Sequence, residues 1–434
     1  MNLPGAFLLL AAALPPSATQ FIGEWSGALV FRGDAWPVRL AVSSGPTARL
    51  DLPALAMFEE PAPVATEGDQ MALELPFGLG RFALESVHGR LLAESTLADE
   101  PIALWLAPAK PRGTLAEPVR FPSGPLRLAG TLYRPAGSGP FPAVVLLHGS
   151  ATLERGDWSY RSWIEPFLSR GFAVLAFDRR DAGENLPPDP QPTPAPDLQT
   201  LAEDAVTAVE FLAQRAEIDP TRIGLSGGSQ GAWVALAATA RNSRIAFLVL
   251  RGAPAGTPAE QELQSVARRS SAAETPEIVA RALAHTRLYF SVVTTGEGWP
   301  ELERSVARAR DEGWDHYVQT PASQSDIGWW RRNHDFDPRS FAANVKVPVL
   351  AFYGGQDLVV PADENAGRLA ALLAGTDVTV VVLPGADHSL ERPFGPGADG
   401  RWRFARRAPE AQEVLADWLA RKVTAPPTSL APRD

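Results

Sequence analysis

Thr221-Arg222-Ile223-Gly224-Leu225-Ser226-Gly227-Gly228-Ser229-Gln230-Gly231-Ala232-Trp233-Val234 is the stretch whose reading decides the fold. A short apolar run meets paired glycines and a serine, and an apolar helical pattern follows. That order predicts a strand, a sharp turn and a helix. It fits Gly-x-Ser-x-Gly centred on Ser229, a strained turn on which a reactive serine is presented. The glycines have a steric reason. Strand and helix swing close together at such a turn, and a side chain at Gly227 or Gly231 would collide. A second register, Gly224-x-Ser226-x-Gly228, overlaps the first. A turn at Ser226 would cut the strand to a stub and open the helix on two glycines, so Ser229 is preferred. The pattern alone also fits a glycine-rich turn without chemistry, and the rest of the chain has to decide.

Composition narrows the choices. The chain has 434 residues, too long for one ordinary domain, so two are expected. Its formal net charge is −10 and it has no basic run of five or more, which argues against nucleic acid or an anionic membrane as a general partner. There is no cysteine, which excludes disulfides, thiolate catalysis and Cys-ligated zinc. The six histidines are scattered, without a His-x-x-x-His or His-Glu-x-x-His pair, so no metal site is signalled. Residues 1–18 hold an apolar core of signal-peptide length, too short to span a bilayer, followed by Ser17-Ala18. They lack an N-terminal Lys or Arg. Export to the periplasm or medium is the expectation, and a cytoplasmic protein with an apolar arm packed on its domain is the other reading. No later stretch is long and apolar enough for a membrane span.

Upstream of the serine turn the pattern changes twice. Residues 20–110 alternate apolar and polar in short runs separated by Gly, Pro and Asp, which predicts a small antiparallel sandwich or barrel ending in a linker at 108–113. His88 reads as a solvated turn residue. From about 117 to 421, strands alternate with helices, which predicts a mostly parallel sheet flanked by helices. Its buried strands are the apolar runs 142–147, 172–178, 245–250, 347–353 and 378–383, and an amphipathic helix is expected over 198–215. The loop 187–196 is proline-rich and reads as a stiff surface connector. It leaves the strand edge where such sheets bind ligands, so it is also placed to wall a pocket. Residues 255–343 interrupt the alternation with charged helical patterns carrying Trp299, Trp314, Trp329 and Trp330. The tail after Lys422 is proline-rich and expected to be disordered.

Downstream of Ser229, two strand ends carry the partners that a serine nucleophile needs. A serine hydroxyl requires a base and an orienting acid. The run ending at Tyr353 leads into Gly354-Gly355-Gln356-Asp357, and the run ending at Leu383 leads into Pro384-Gly385-Ala386-Asp387-His388. Ser229, Asp357 and His388 thus follow successive strand ends in the order Ser, acid, His. Asp387 adjoins His388 too closely to face it and reads as a loop or cap residue. Asp363 reads as a first-turn helix acid, and His334 as structural. His148 ends a strand at His148-Gly149-Ser150, where backbone should face the reacting carbonyl rather than supply a second base. Backbone N–H groups of Gln230 and of Ser150 or Ala151 are the expected oxyanion donors. His388 would take the Ser229 proton, Asp357 would hold the imidazole, and turnover would rise with pH as His388 loses its proton. This chemistry needs no metal or cofactor.

With these residues in view, the chain from about 118 to 421 resembles the α/β-hydrolase superfamily. The resemblance rests on His148-Gly149-Ser150, Phe177-Asp178-Arg179-Arg180, Gly227-Gly228-Ser229-Gln230-Gly231, Gly354-Gly355-Gln356-Asp357 with Val360-Pro361, and Gly385-Ala386-Asp387-His388. With the β-rich N-terminal unit and Asp335-Phe336-Asp337-Pro338, the whole looks like two-domain bacterial carboxylesterases. Many relatives carry glycine after the loop arginine, where this chain has Arg180-Asp181. The resemblance implies an acyl-enzyme carboxylic-ester hydrolase acting on a small-molecule ester, with 255–343 as a helical cap. The cap tryptophans are read as core or as an apolar pocket. A serine peptidase of prolyl-oligopeptidase or aminopeptidase type, and an acyl-CoA thioesterase or acyltransferase, are the competing enzyme classes. A non-enzymatic binding protein on the same fold is disfavoured by the complete Ser, Asp, His set. Oligomeric state, a homo-oligomer included, is left open.

Overall fold

The computed structural model describes residues 16–424 except 46, 68, 69, 77, 98, 111, 112, 152, 188–193, 393, 394, 397–401 and 404–406. The N-terminal apolar core, most of the proline-rich loop and the tail from 425 therefore lie outside the described residues. The chain divides into two compact units, 1–113 and 114–434.

In the first unit the described strands close into an antiparallel barrel. They are β1 Gly23–Phe31, β2 Asp34–Val42, β3 Thr47–Leu52, β4 Met57–Glu67, β5 Gln70–Leu75, β6 Gly80–Val87, β7 Arg90–Leu97 and β8 Glu100–Pro108. β1 closes the barrel on β8, with Trp25 opposite Pro108 and Phe31 opposite Ile102. Alternation puts Leu29, Leu40, Leu50, Leu73, Phe82 and Leu104 inside. Of the two expected architectures, the barrel is the one formed. β4 has no period-two signature because Pro61 and Pro63 interrupt it. Its register against β3 shifts between Leu50 and Leu52, and buried Asp51 accepts the Glu59 amide at 2.8 Å there. His88 (φ +50°) and Gly89 (φ +74°) form the two-residue turn between β6 and β7.

The second unit is a helix-flanked sheet. It opens with the hairpin β9 Thr114–Ser123 and β10 Leu126–Pro135, then β11 Phe141–Leu147, short helices α1 Trp158–Arg161 and α2 Ile164–Leu168, β12 Ala173–Phe177 and α3 Leu198–Ala213. It continues with β13 Ile218–Gly228, α4 Gln230–Thr239, β14 Ile245–Arg251 and five helices, α5 Pro258–Ser271, α6 Pro276–Thr295, α7 Trp299–Asp311, α8 Gly328–Asn333 and α9 Arg339–Ala342. It ends with β15 Val349–Gly354, α10 Ala362–Leu372, β16 Val378–Leu383 and α11 Pro409–Leu419. The sheet order is β16-β15-β14-β13-β11-β12-β10-β9. β9 and β10 run antiparallel to their neighbours, and β12, β11, β13, β14, β15 and β16 are mutually parallel.

The central strands are apolar throughout because helices cover both faces. Val144, Val145, Leu225, Leu248, Leu250 and Ala351 are fully enclosed. Every residue of α4 is buried, which explains why its sequence is apolar on all sides rather than striped. The helical segment between β11 and β12 is split into α1 and α2 by a break at Ser162 and Trp163. α5 starts on a capping box in which Thr257 and Glu260 satisfy each other's backbone N–H groups. The inserted helices carry small cores of their own, one around Tyr289, Val292 and Leu302 and another around Val266 and Trp314. Among the described residues, no helix is long and apolar enough to cross a membrane.

Candidate active site

The turn between β13 and α4 has the geometry that its glycines imply. Ser229 sits at φ +53°, ψ −121°, a conformation costly for any residue with a side chain. Its amide donates to the Arg251 carbonyl at 2.8 Å, and its carbonyl accepts from Ala232 at 2.9 Å. A Cβ at Gly227 would fall inside contact distance of the Gly231 carbonyl. One at Gly231 would sit 2.8 Å from the His148 carbonyl oxygen. The second glycine thus lets the start of α4 press on the end of β11, which brings the His148-Gly149-Ser150 loop beside Ser229. Ser226 is fully enclosed within β13 and its hydroxyl has no partner. It lines neither of the two cavities at Ser229.

Beyond β15, the Asp357 carboxylate is buried and doubly held. Oδ1 accepts the Val359 and Val360 amides, each at 2.8 Å, and Oδ2 accepts from His388 Nδ1 at 2.7 Å. With Nδ1 as the donor, the neutral imidazole leaves Nε2 as its acceptor, which is the tautomer a general base needs. The two loops are tied by backbone bonds from Gly355 to Leu383 and from Gln356 to Ala386, at 2.9 and 2.8 Å. A Cβ at Gly354 would run into the Asp387 carbonyl.

Ser229 and His388 line one cavity of about 170 Å³, together with Gly149, Ser150 and Ala151. Ser229, Ser150 and Gln230 also line a second cavity of about 390 Å³ that runs under the inserted helices, with Trp233, Trp329 and Trp330 on its walls. Gln230 is the first residue of α4, so its N–H lacks an intrahelical acceptor and points from the positive end of the helix. The structure therefore brings together Ser229, Asp357, His388, Gln230, Ser150 and Ala151. It divides the tryptophans of the insertion. Trp314 is core, whereas Trp329 and Trp330 face the cavity. Ala195, at the end of the proline-rich loop, lines the same cavity.

The competing side chains have other work. Asp387 accepts the amides of Ser389 and Glu391, both at 2.9 Å. Asp363 pairs with Arg268 in the first turn of α10. His334 Nδ1 lies 3.1 Å from the Trp330 carbonyl at the end of α8. His148 stacks on Tyr160 with ring centroids 4.3 Å apart, and burial pulls its pKa down to about 3, so it is neutral at ordinary pH. Among the described residues, no group of three or more His, Asp or Glu side chains could hold a metal.

Gly252, Arg251, Arg407 and Trp163 also border the site and were not singled out from the sequence. Gly252 has φ +50°, and a Cβ on it would lie 3.0 Å from His388 Cε1 and 3.1 Å from Nδ1. Arg251 carried one readable signal, a charge closing the apolar run of β14.

The fold and the turn at Ser229 are those of the α/β hydrolases. The family model described as alpha/beta hydrolase fold matches residues 142–390, more than half of the chain, and the protein belongs to that family. Among its relatives, the quorum-quenching protein AidA of Acinetobacter baumannii is 30% identical over 30% of this chain and 41% of its own length. The esterase EstD of Thermotoga maritima is 24% identical over 61% of this chain and 58% of its own length. The chain thus spans about half the length of these curated relatives. A solved esterase from Pyrococcus furiosus aligns at 18% identity over 71% of this chain and 92% of its own, with a TM-score of 0.43.

Proposed function

We propose that the protein is a serine hydrolase of carboxylic esters. Ser229 attacks the ester carbonyl as His388 Nε2 takes its proton, and Asp357 orients the imidazole and stabilises the imidazolium. The oxyanion is held by the N–H of Gln230 with that of Ser150 or Ala151. The alcohol leaves with the proton from His388. Water, deprotonated by the same imidazole, then releases the acid from Ser229.

The observation that carries this reading is the juxtaposition in one cavity of a serine at φ +53° and a histidine whose Nδ1 is bound to a buried carboxylate at 2.7 Å. The likeness to EstD, an esterase, supports esters over amides. The aromatic wall formed by Trp233, Trp329 and Trp330 suits an apolar portion of the substrate, and the inserted helices act as its cap.

Turnover of p-nitrophenyl butyrate beside aminoacyl-p-nitroanilides tests the reading. Ester turnover is expected, with little on the anilides. Ser229→Ala should lower kcat by roughly 10⁴-fold or more, while Ser226→Ala, inside the strand, should keep most of it. Retained turnover in Ser229→Ala would overturn the assignment, and turnover of the anilides alone would replace esterase by peptidase.

A further inference from the structure

The cavity shared by Ser229 and His388 is also lined by two arginines that the reaction above does not use. Arg251 is the last residue of β14, and Arg407 lies two residues before α11. Their guanidinium carbons stand 4.2 and 4.0 Å from the centroid of the Trp163 ring. Arg407 is 3% exposed and donates to the Ser162 carbonyl at 2.8 Å and to its Oγ at 2.6 Å. Glu391 and Glu165 act on it electrostatically. Arg251 is different. Among the described residues, the titratable groups that act on it are Arg407 and the Tyr160 hydroxyl, with no carboxylate. Its Nε, like that of Arg407, is enclosed without a hydrogen-bond partner.

Glu391 lines the same cavity and offsets part of the Arg407 charge, so the shortage of negative charge falls on Arg251. Burial, and then the neighbouring Arg407, pull Arg251 down to about 9, and burial pulls Arg407 down to about 10. Both remain cationic at neutral pH. Tyr160 does not compensate, because burial raises its phenol far above the usual range and its hydroxyl donates to the Leu146 carbonyl at 2.6 Å. Two like charges held in a partly desolvated pocket repel more strongly than in water. A carboxylate accepted by Arg251 offsets that uncompensated charge and gives the arginine fork the geometry it is built to bind.

Resting on the ester-hydrolase reading, we propose that Arg251, backed by Arg407, forms a subsite for a carboxylate carried on a short arm of the substrate ester. Trp163 holds the two guanidinium planes and supplies an apolar wall for the arm. A cavity of about 170 Å³ has the volume of roughly five or six water molecules, so the arm is a few carbons long.

Titration calorimetry of the full chain with succinate reads the subsite without turnover. Succinate is expected to bind the wild-type protein, and to bind Arg251→Met at least about tenfold more weakly. Arg251→Lys should fall between them, since it keeps the charge and loses the fork. It also carries the test if the Met variant misfolds. No succinate binding, or equal affinity in all three proteins, overturns the subsite whether or not esters are cleaved. Turnover then locates the arm. Ethyl hydrogen succinate against ethyl butyrate puts the charge on the acyl side, and 3-acetoxypropanoate against propyl acetate puts it on the alcohol side. In one pair, kcat/KM for the charged ester should exceed that of the neutral one by about tenfold, and Arg251→Met should collapse the ratio. Ratios at or below one in both pairs overturn the proposal and leave ester hydrolysis standing. Succinate binding with none of the four esters cleaved supports the carboxylate subsite and overturns the ester reading instead.

Discussion

Ser229 is held in a conformation that costs of order 1–3 kcal/mol, and its neighbours show how that cost is carried. Its amide is fixed to the Arg251 carbonyl, and the next residue, Gly252, donates to the Phe352 carbonyl at 2.8 Å. Gly252 is itself at positive φ and leaves just enough room for the His388 ring. Gly252→Ala should therefore push the imidazole aside while the sheet stays intact. A fall in kcat of about 10–100-fold with a smaller change in KM is expected, read alongside circular dichroism to confirm the fold. Unchanged kcat would mean that the imidazole has space to spare. Nothing in the sequence marked Gly252, which simply follows an apolar run. Its role exists only once the ends of β13, β14 and β15 lie side by side. Asp357 and His388 were legible for the opposite reason, because each follows a run that is recognisably a strand, β15 in the buried centre and β16 at the sheet edge.

Secondary elements were readable where their burial is one-sided or complete, and obscure where pairing overrides local pattern. The apolar runs of β11, β13, β14 and β15 announce themselves. β4 does not, since Pro61 and Pro63 remove ladder donors and only pairing with β3 and β5 makes it a strand. β9 is similarly faint and is defined by its hairpin with β10. The Arg180-Asp181 departure also finds its reason at this scale. Arg180 donates to Asp204 of α3 through Nη2 at 2.6 Å and Nε at 2.8 Å, and Ser123 at the end of β9 donates to the same carboxylate. The Asp204 bond is the main cause holding the Arg180 pKa above its usual value. This fork ties the loop after β12 to α3 and to the sheet edge. Asp204 is 1% exposed, so Asp204→Ala strands the Arg180 charge and empties a packed site. A loss of about 3 kcal/mol is expected, measured by urea denaturation of the second unit. The contacts that position Asp357 and His388 are elsewhere, so kcat of the protein that remains folded should change little. A denaturation midpoint equal to wild type would show that the fork is only a surface pair.

At the scale of the whole molecule, the alternation of strands and helices from 117 onward was sufficient to read the sheet, because the central parallel strands are covered on both faces and are apolar, although the edge strand β16 buries only Leu383. The cavity with its two arginines was not legible. Arg251 and Arg407 stand 156 positions apart in the chain, and no local pattern relates a residue at a strand end to one ahead of the last helix. Division of labour between the two units follows from where the side chains originate. Ser229, Asp357, His388, the candidate oxyanion donors and both arginines all come from 114–434. The barrel satisfies its own backbone by pairing β1 with β8, which leaves no open strand edge in the described ladder. Each unit has its own apolar core, so each should fold alone. A protein starting at residue 110 is expected to give a cooperative thermal transition and to cleave ethyl butyrate with kcat within about threefold of the full chain, since no group assigned to the reaction is lost. The isolated barrel, ending at residue 113, should give a transition of its own and no turnover. If the shortened protein keeps its circular dichroism but loses more than about tenfold in kcat, the barrel contributes to the chemistry directly. If KM alone rises, its contribution is to substrate binding.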